Sequence, residues 1–148
     1  MRKLTKTHIE YGDLAWNFYP GCNHWQTGIC SVGENCWAKT MAHQYKRDFT
    51  PHLIPELLLA PLSIKKPSRI LVNFTGDLFG DWVNPDEPIG WEETVIMGGI
   101  PIHRFGVECQ GWSLKKIVFT QIKSNPQHTF IFLTKAPWNY QKWGEFPS

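Results

Sequence analysis

Three short apolar runs punctuate the chain, and stretches of helical periodicity lie between and after them. Residues 14–18 (LAWNF) set Trp16 and Phe18 alternating with Asn17, which predicts a short buried strand. Residues 69–74 (RILVNF) are strand formers with almost no polar break, the pattern a parallel strand needs when both faces of its sheet are covered. Residues 128–133 (HTFIFL) alternate weakly and predict a third strand. Between the first two runs, Ala38, Met41, Ala42 and Tyr45 fall at i, i+3, i+4 and i+7, which predicts a helix over 37–46 with one apolar face, Asn35 as its N-cap and Cys36 in its first turn. Between the second and third runs, Leu114, Ile117, Val118 and Ile122 share a face. Ser113 is placed to cap that helix, Asn125–Pro126 to end it, and Lys115, Lys116 and Lys123 to face water. A last helical pattern, 138–143, is cut short by Gly144 and Pro147.

The rest reads as connection. The first 13 residues are a polar lead-in with a turn at Tyr11, Gly12 and Asp13. Pro51, Pro55, Pro61 and Pro67 break up 48–67, leaving room for one short helix over 56–59, started by Pro55 and stopped by Pro61. Residues 80–111 carry several prolines and glycines and read as an insertion with a short hairpin around Gly98 and Gly99.

The order is therefore strand, helix, strand, insertion, helix, strand, start of a helix. It predicts a single α/β domain over 1–148 with a parallel sheet and right-handed crossovers. In such folds functional groups gather at the C-terminal ends of the strands. Those ends carry Cys22, then Thr75 and Asp77, then Thr134 and Lys135, so three polar clusters are expected on one rim.

Composition fits this picture. Of 148 residues, 42% are hydrophobic and 19% charged, which argues against disorder. Eight tryptophans and nine phenylalanines imply a core or cleft of large flat side chains. A formal charge of +2 does not by itself argue for nucleic acid, and the lysines at 115, 116 and 123 read as a solvated face, so a nucleic-acid partner stays undecided. No apolar run reaches membrane-spanning length, and the N-terminus lacks the apolar core of a signal peptide. A cytoplasmic protein with no membrane partner is expected, and there clustered cysteines are ligands or redox groups more often than disulfides.

Three of the four cysteines fall between positions 22 and 36, in CNHWQTGICSVGENCWA. The spacing, Cys22-x7-Cys30-x5-Cys36, is wider than the C-x2-C knuckle of a zinc ribbon. Gly21, Gly28 and Gly33 allow the backbone to bend back and bring separated sulfurs together. Three readings stay open: thiolates on an iron–sulfur cluster, a structural zinc completed by His24, or three reduced thiols packed as small hydrophobes. Cys109, in the insertion, is the weakest ligand candidate.

Four blocks in order, WNFYPGC, GENCWAKTMA, PSRILVNFTGDLFG and HTFIFLTKAP, resemble a phage- and prophage-associated family of uncharacterised proteins, over roughly 16–142 apart from the insertion. That family has a three-cysteine motif similar to radical S-adenosylmethionine enzymes, with the cysteines in the loop after the first strand of a partial (β/α) barrel. The resemblance implies a partial TIM-like barrel of about three βα units here, incomplete against the usual six. It implies a [4Fe–4S] cluster on Cys22, Cys30 and Cys36, with S-adenosylmethionine bound near Asn73, Thr75, Asp77 and Lys135. Trp37 stands where the family usually has tyrosine and Ala136 where it has arginine. Relatives encoded beside a partner imply a protein partner. For Asp77 an Asx turn or helix cap is the competing role; Asn73 and Thr75 read as backbone-satisfying, and Lys135 as a solvated lysine or an anion binder. Trp16, Trp25 and Trp37 either shield a cluster, stack on adenine or fill the core. His128 reads as a surface or capping residue.

Overall fold

The computed structural model describes residues 4–90 and 111–148, and the backbone of 92–97 and 100–105. Its strands are β1 (Thr5–Lys6), β2 (Leu14–Trp16), β3 (Arg69–Val72), β4 (Glu92–Met97), β5 (Ile100–Phe105) and β6 (Thr129–Phe132). Its helices are α1 (Trp37–Gln44), α2 (Leu114–Ser124) and α3 (Tyr140–Trp143). One sheet has the order β1-β2-β3-β6, with β2, β3 and β6 parallel and β1 antiparallel to β2. β4 and β5 form a separate antiparallel pair. The fold is mixed α/β, as expected, but the sheet is open, with β1 and β6 at its edges, and does not close into a barrel.

The continuous apolar run of β3 is buried on both faces. Ile70 and Val72 join Trp16, Phe18, Leu58 and the α2 residues Leu114, Ile117 and Val118 in the main core. Leu71 points the other way, under the lead-in turn: a Cβ on Gly12 would stand 2.6 Å from the Leu71 side chain, so only glycine fits there. Each such side chain removed from water contributes about 1.5–3 kcal/mol. α2 forms as its periodicity predicts, with the Ser113 hydroxyl accepting from the Lys116 amide and Asn125 closing the C-terminus. Lys116 lies over the Trp112 ring and Lys115 pairs with Asp86, so these cations stay at the surface.

Several expectations are corrected. The polar lead-in contains β1, because Thr5 and Lys6 complete the edge of β2. α1 begins one residue later than its cap signal suggests: residues 33–35 form a 3-10 turn, and Cys36, in extended backbone, is the N-cap. Of the apolar face assigned to α1, only Ala38 is buried; Met41 is 41% and Tyr45 57% exposed. Periodicity marks a face but does not supply a partner for it. In place of the helix expected over 56–59, Pro55–Leu57 forms a 3-10 turn, and Pro61 lies in the first turn of a further one, Ala60–Ser63, instead of stopping a helix. His128 is buried, its Nε2 against the Ile64 carbonyl at 3.1 Å. The hairpin expected in 80–111 is seen in the pairing of Met97 with Ile100; Gly98, Gly99 and Cys109 lie outside the described residues. Among the described residues no helix is long and apolar enough to cross a membrane.

Two contacts hold β2 against β3 at opposite ends. At the start, Arg69 donates from its amide and guanidinium to the Asp13 carboxylate, with Nη2 to Oδ1 at 2.9 Å. At the far end, Gly21 and Gly76 form a parallel bridge, Gly21 with φ 93°. A Cβ on Gly21 would lie 2.5 Å from the Phe49 carbonyl oxygen, and one on Gly76 2.7 Å from the Gly21 oxygen. This close approach brings the start of the cysteine loop beside the 73–79 turn.

Gly21→Ala is expected to lower unfolding free energy by about 1–3 kcal/mol from backbone strain alone, with the clash adding to it, read from the urea midpoint at unchanged slope. The Arg69 hydrogen bonds and charge hold Asp13 down from 3.8 to about 2. Its contribution to stability is present above pH 3.8 and is lost as pH falls through about 2. Asp13→Asn is expected to flatten the acid limb of stability in that window and to leave the curve near neutrality with the same shape.

Candidate functional site

The parallel strands deliver three loops to one rim. The chain leaving β2 passes the Gly21–Gly76 bridge into the cysteine loop, β3 ends in the 73–79 turn, and β6 ends at Thr134 and Lys135. β3 ends where it does because Asn73 adopts φ 51°, a left-handed conformation that asparagine tolerates better than most residues. The buried Asn73 side chain accepts from the Tyr19 amide at 2.9 Å, and the Asn17 side chain accepts from the Thr75 amide at 3.2 Å. The Thr75 carbonyl takes the Gly21 amide at 3.1 Å. The Asn73 side chain thus braces the backbone between loops, and Thr75 takes part through its own amide and carbonyl.

Asp77 joins all three loops. It is buried, and its Oδ1 accepts from the Phe79 amide at 2.9 Å, an Asx turn. Its Oδ2 accepts from the Thr134 hydroxyl and the Lys135 amide, each at 2.9 Å, and lies 2.8 Å from His24 Nε2. The Thr134 oxygen in turn accepts from the Ala136 amide. The His24 ring sits edge-on to Trp82 at 4.9 Å between centroids. Asp77 holds that ring at Nε2, and among the described residues the buried Nδ1 has no hydrogen-bond partner, the arrangement in which the second nitrogen of a histidine is left for a ligand.

The three thiols are free and half-buried. The His24 backbone brackets two of them: its amide donates to Cys22 Sγ at 3.5 Å and its carbonyl accepts from the Cys30 amide at 3.3 Å. Lys135 Nζ donates to Cys30 Sγ at 2.9 Å, and the Val32 and Gly33 amides also point to that sulfur. The environments push the thiols in opposite directions. Burial raises Cys22, with the charges of Asp77, Cys36 and Cys30 adding to it against the His24 amide. The Lys135 hydrogen bond lowers Cys30, and Cys30 in return raises Lys135. Of the three sulfurs Lys135 contacts that of Cys30 alone, and the charges of Cys22 and Cys36 raise it further from a distance. Among the described residues, no three His, Cys, Asp or Glu side chains come together closely enough to hold a metal ion.

The tryptophans divide by position. Trp16 is fully buried, donating to the Leu57 carbonyl at 2.7 Å, and belongs to the core. Trp25 donates to the Cys22 carbonyl and carries Lys39 over its ring. Trp37, 51% exposed, leans on Phe74 at 5.0 Å. Two residues escaped the sequence reading: His24 as the partner of Asp77, and Asn139, which donates to the Phe79 carbonyl and to Asp81. His24 lies 53 positions from Asp77 and Asn139 58 from Asp81, and no local pattern signals either contact.

The geometry defines an α/β protein with a thiol-rich strand-end site. The chain belongs to a family described as protein of unknown function (DUF5131), matched over residues 6–107. The match runs from the last residue of β1 through β5, including most of the stretch read as an insertion, and ends before β6. No curated protein and no solved structure matches the chain.

Lys135→Met removes the cation from Cys30. The alkylation of Cys30 by iodoacetamide, followed by peptide mass, is expected to slow at neutral pH, with its pH midpoint moving upward.

Proposed function

We propose that the chain is an iron–sulfur protein of the radical S-adenosylmethionine type, its [4Fe–4S] cluster held by Cys22, Cys30 and Cys36. The observation that carries this reading is the set of three free, half-buried thiols in the one loop that follows a parallel strand, with the Lys135 ammonium from a neighbouring strand end on Cys30. The donor chemistry fits best at Cys30, where the Lys135 ammonium and the Val32 and Gly33 amides favour thiolate over thiol, while the His24 amide at Cys22 only partly offsets its burial. Among the described residues the thiols are not gathered tightly enough for a single ion, so the cluster reading requires the loop to draw its three sulfurs together on binding. Gly28 and Gly33 have open space where a Cβ would be, leaving the loop room to close. The sequential order of the three parallel strands supports a part of a (β/α) barrel, and a phage-associated origin belongs to the same reading.

When bound, a cluster with three protein ligands supplies an electron for reductive cleavage of S-adenosylmethionine at the iron left open. The residues here do the holding. Asp77 and His24 fix the base of the cysteine loop, and Lys135 offsets negative charge at the sulfurs. Trp37 on Phe74 offers an exposed aromatic face beside Cys36 for a planar ring.

Anaerobic reconstitution, with iron, sulfide and zinc measured per chain, tests the reading. About four irons and four sulfides are expected, lost in Cys36→Ala. With S-adenosylmethionine and a reductant, 5′-deoxyadenosine is the expected product. Iron uptake without that product removes the radical assignment. About one zinc and no sulfide replaces it with a zinc-stabilised module that works through a protein or nucleic-acid partner.

A further inference from the structure

We infer that Asp77 is a positioning residue: through His24, Thr134 and the Lys135 backbone it sets the cysteine loop and the 134–135 loop against each other, so that the Lys135 ammonium meets Cys30. Oδ2 takes one donor from the cysteine loop (His24 Nε2, 2.8 Å) and two from the loop after β6 (Thr134 Oγ1 and Lys135 N, 2.9 Å each). The first donor belongs to the residue whose backbone brackets Cys22 and Cys30. The last belongs to the residue whose side chain ends on Cys30 Sγ. Lys135 and Cys30 are 105 positions apart, and one buried carboxylate oxygen ties both: Lys135 through its own amide, and Cys30 through His24, whose carbonyl holds the Cys30 amide. The Phe79 amide on Oδ1 ties that carboxylate to its own turn, independently of the two loops that meet at Oδ2.

The inference rests on protein contacts alone and holds whatever the thiols bind. The probe is o-phthalaldehyde, which condenses with one amine and one thiol in contact, with loss of water, to a fluorescent isoindole. The full chain is reduced, freed of metal by a chelator, treated without added thiol, and the bridged peptides are identified by mass. The wild type is expected to give a Lys135–Cys30 isoindole, with Lys135→Arg setting the background. Asp77→Asn keeps the shape of the side chain but removes acceptors for charge-assisted and backbone donors. It is expected to cut that isoindole about tenfold at an unchanged far-ultraviolet circular dichroism spectrum.

If Asp77→Asn does not fold, Thr134→Val decides: it deletes one of the three donors and is expected to cut the yield about fivefold. Ser113→Ala, at the α2 cap, is the control and is expected to leave the yield unchanged. A wild-type yield in a folded Asp77→Asn or Thr134→Val variant overturns the inference. So does absence of the bridge in the wild type, or an equal drop in Ser113→Ala. Metal content does not enter the readout, so a chain that takes up no iron still answers this question.

Discussion

Taking a carboxylate out of water leaves its lone pairs to be filled by protein donors, at a cost of several kcal/mol if they are not. Asp77 is the place where this chain meets that requirement. Its four donors come from its own turn, from the cysteine loop and from the loop after β6. Because β2, β3 and β6 are parallel neighbours, all three loops leave the sheet at the same end, and one side chain reaches them all. The thiols and Lys135 inherit their positions from that arrangement. A mispositioned loop would leave a buried acceptor or donor unpaired, so the rim is held by the energetics of satisfaction more than by the number of contacts.

The thiol environment follows from where each cysteine sits relative to this hub. Cys22 lies close to the buried sheet end, where desolvation and the Asp77 charge disfavour a thiolate. Cys30 lies farther out, where Lys135 and two amides favour one. A loop of one composition therefore presents sulfurs of different character, and the difference is set by a lysine contributed from the far end of the chain. A cationic ligand at the sulfurs would compete with that lysine, and this sets what the site must accommodate when it binds a metal or a cluster.

Much of the framework was legible beforehand because it rests on local rules. The uninterrupted apolar run of β3, the cap and stripe of α2 and the three strand ends all follow from periodicity and turn chemistry. The misreadings have a common origin. The apolar stripe of α1 marks a face, but burial needs a partner surface, and Met41 and Tyr45 have none among the described residues. β1 has two polar residues and exists because β2 offers it an edge. His128 carries no local mark of burial; the Ile64 carbonyl, 64 positions away, supplies it. Whether a sheet forms part of a barrel is likewise a property of strand number and pairing, and β1, β2, β3 and β6 form an open sheet.

What the amino-acid sequence by itself determined was the parallel framework and its ends: that the stretches of β2, β3 and β6 become strands, which groups lie at their C-termini, and that three cysteines share one loop. Those are consequences of short-range periodicity, glycine and proline, and they do not depend on the rest of the chain. Only the tertiary structure decided that Asp77 faces inward to His24, Thr134 and Lys135, and that the Lys135 ammonium lies on Cys30. These contacts span 53 to 105 positions and exist because parallel pairing brings the strand ends together. No residue in either loop encodes its partner locally; the sheet supplies the proximity, and the unfilled lone pairs of a buried carboxylate select the geometry.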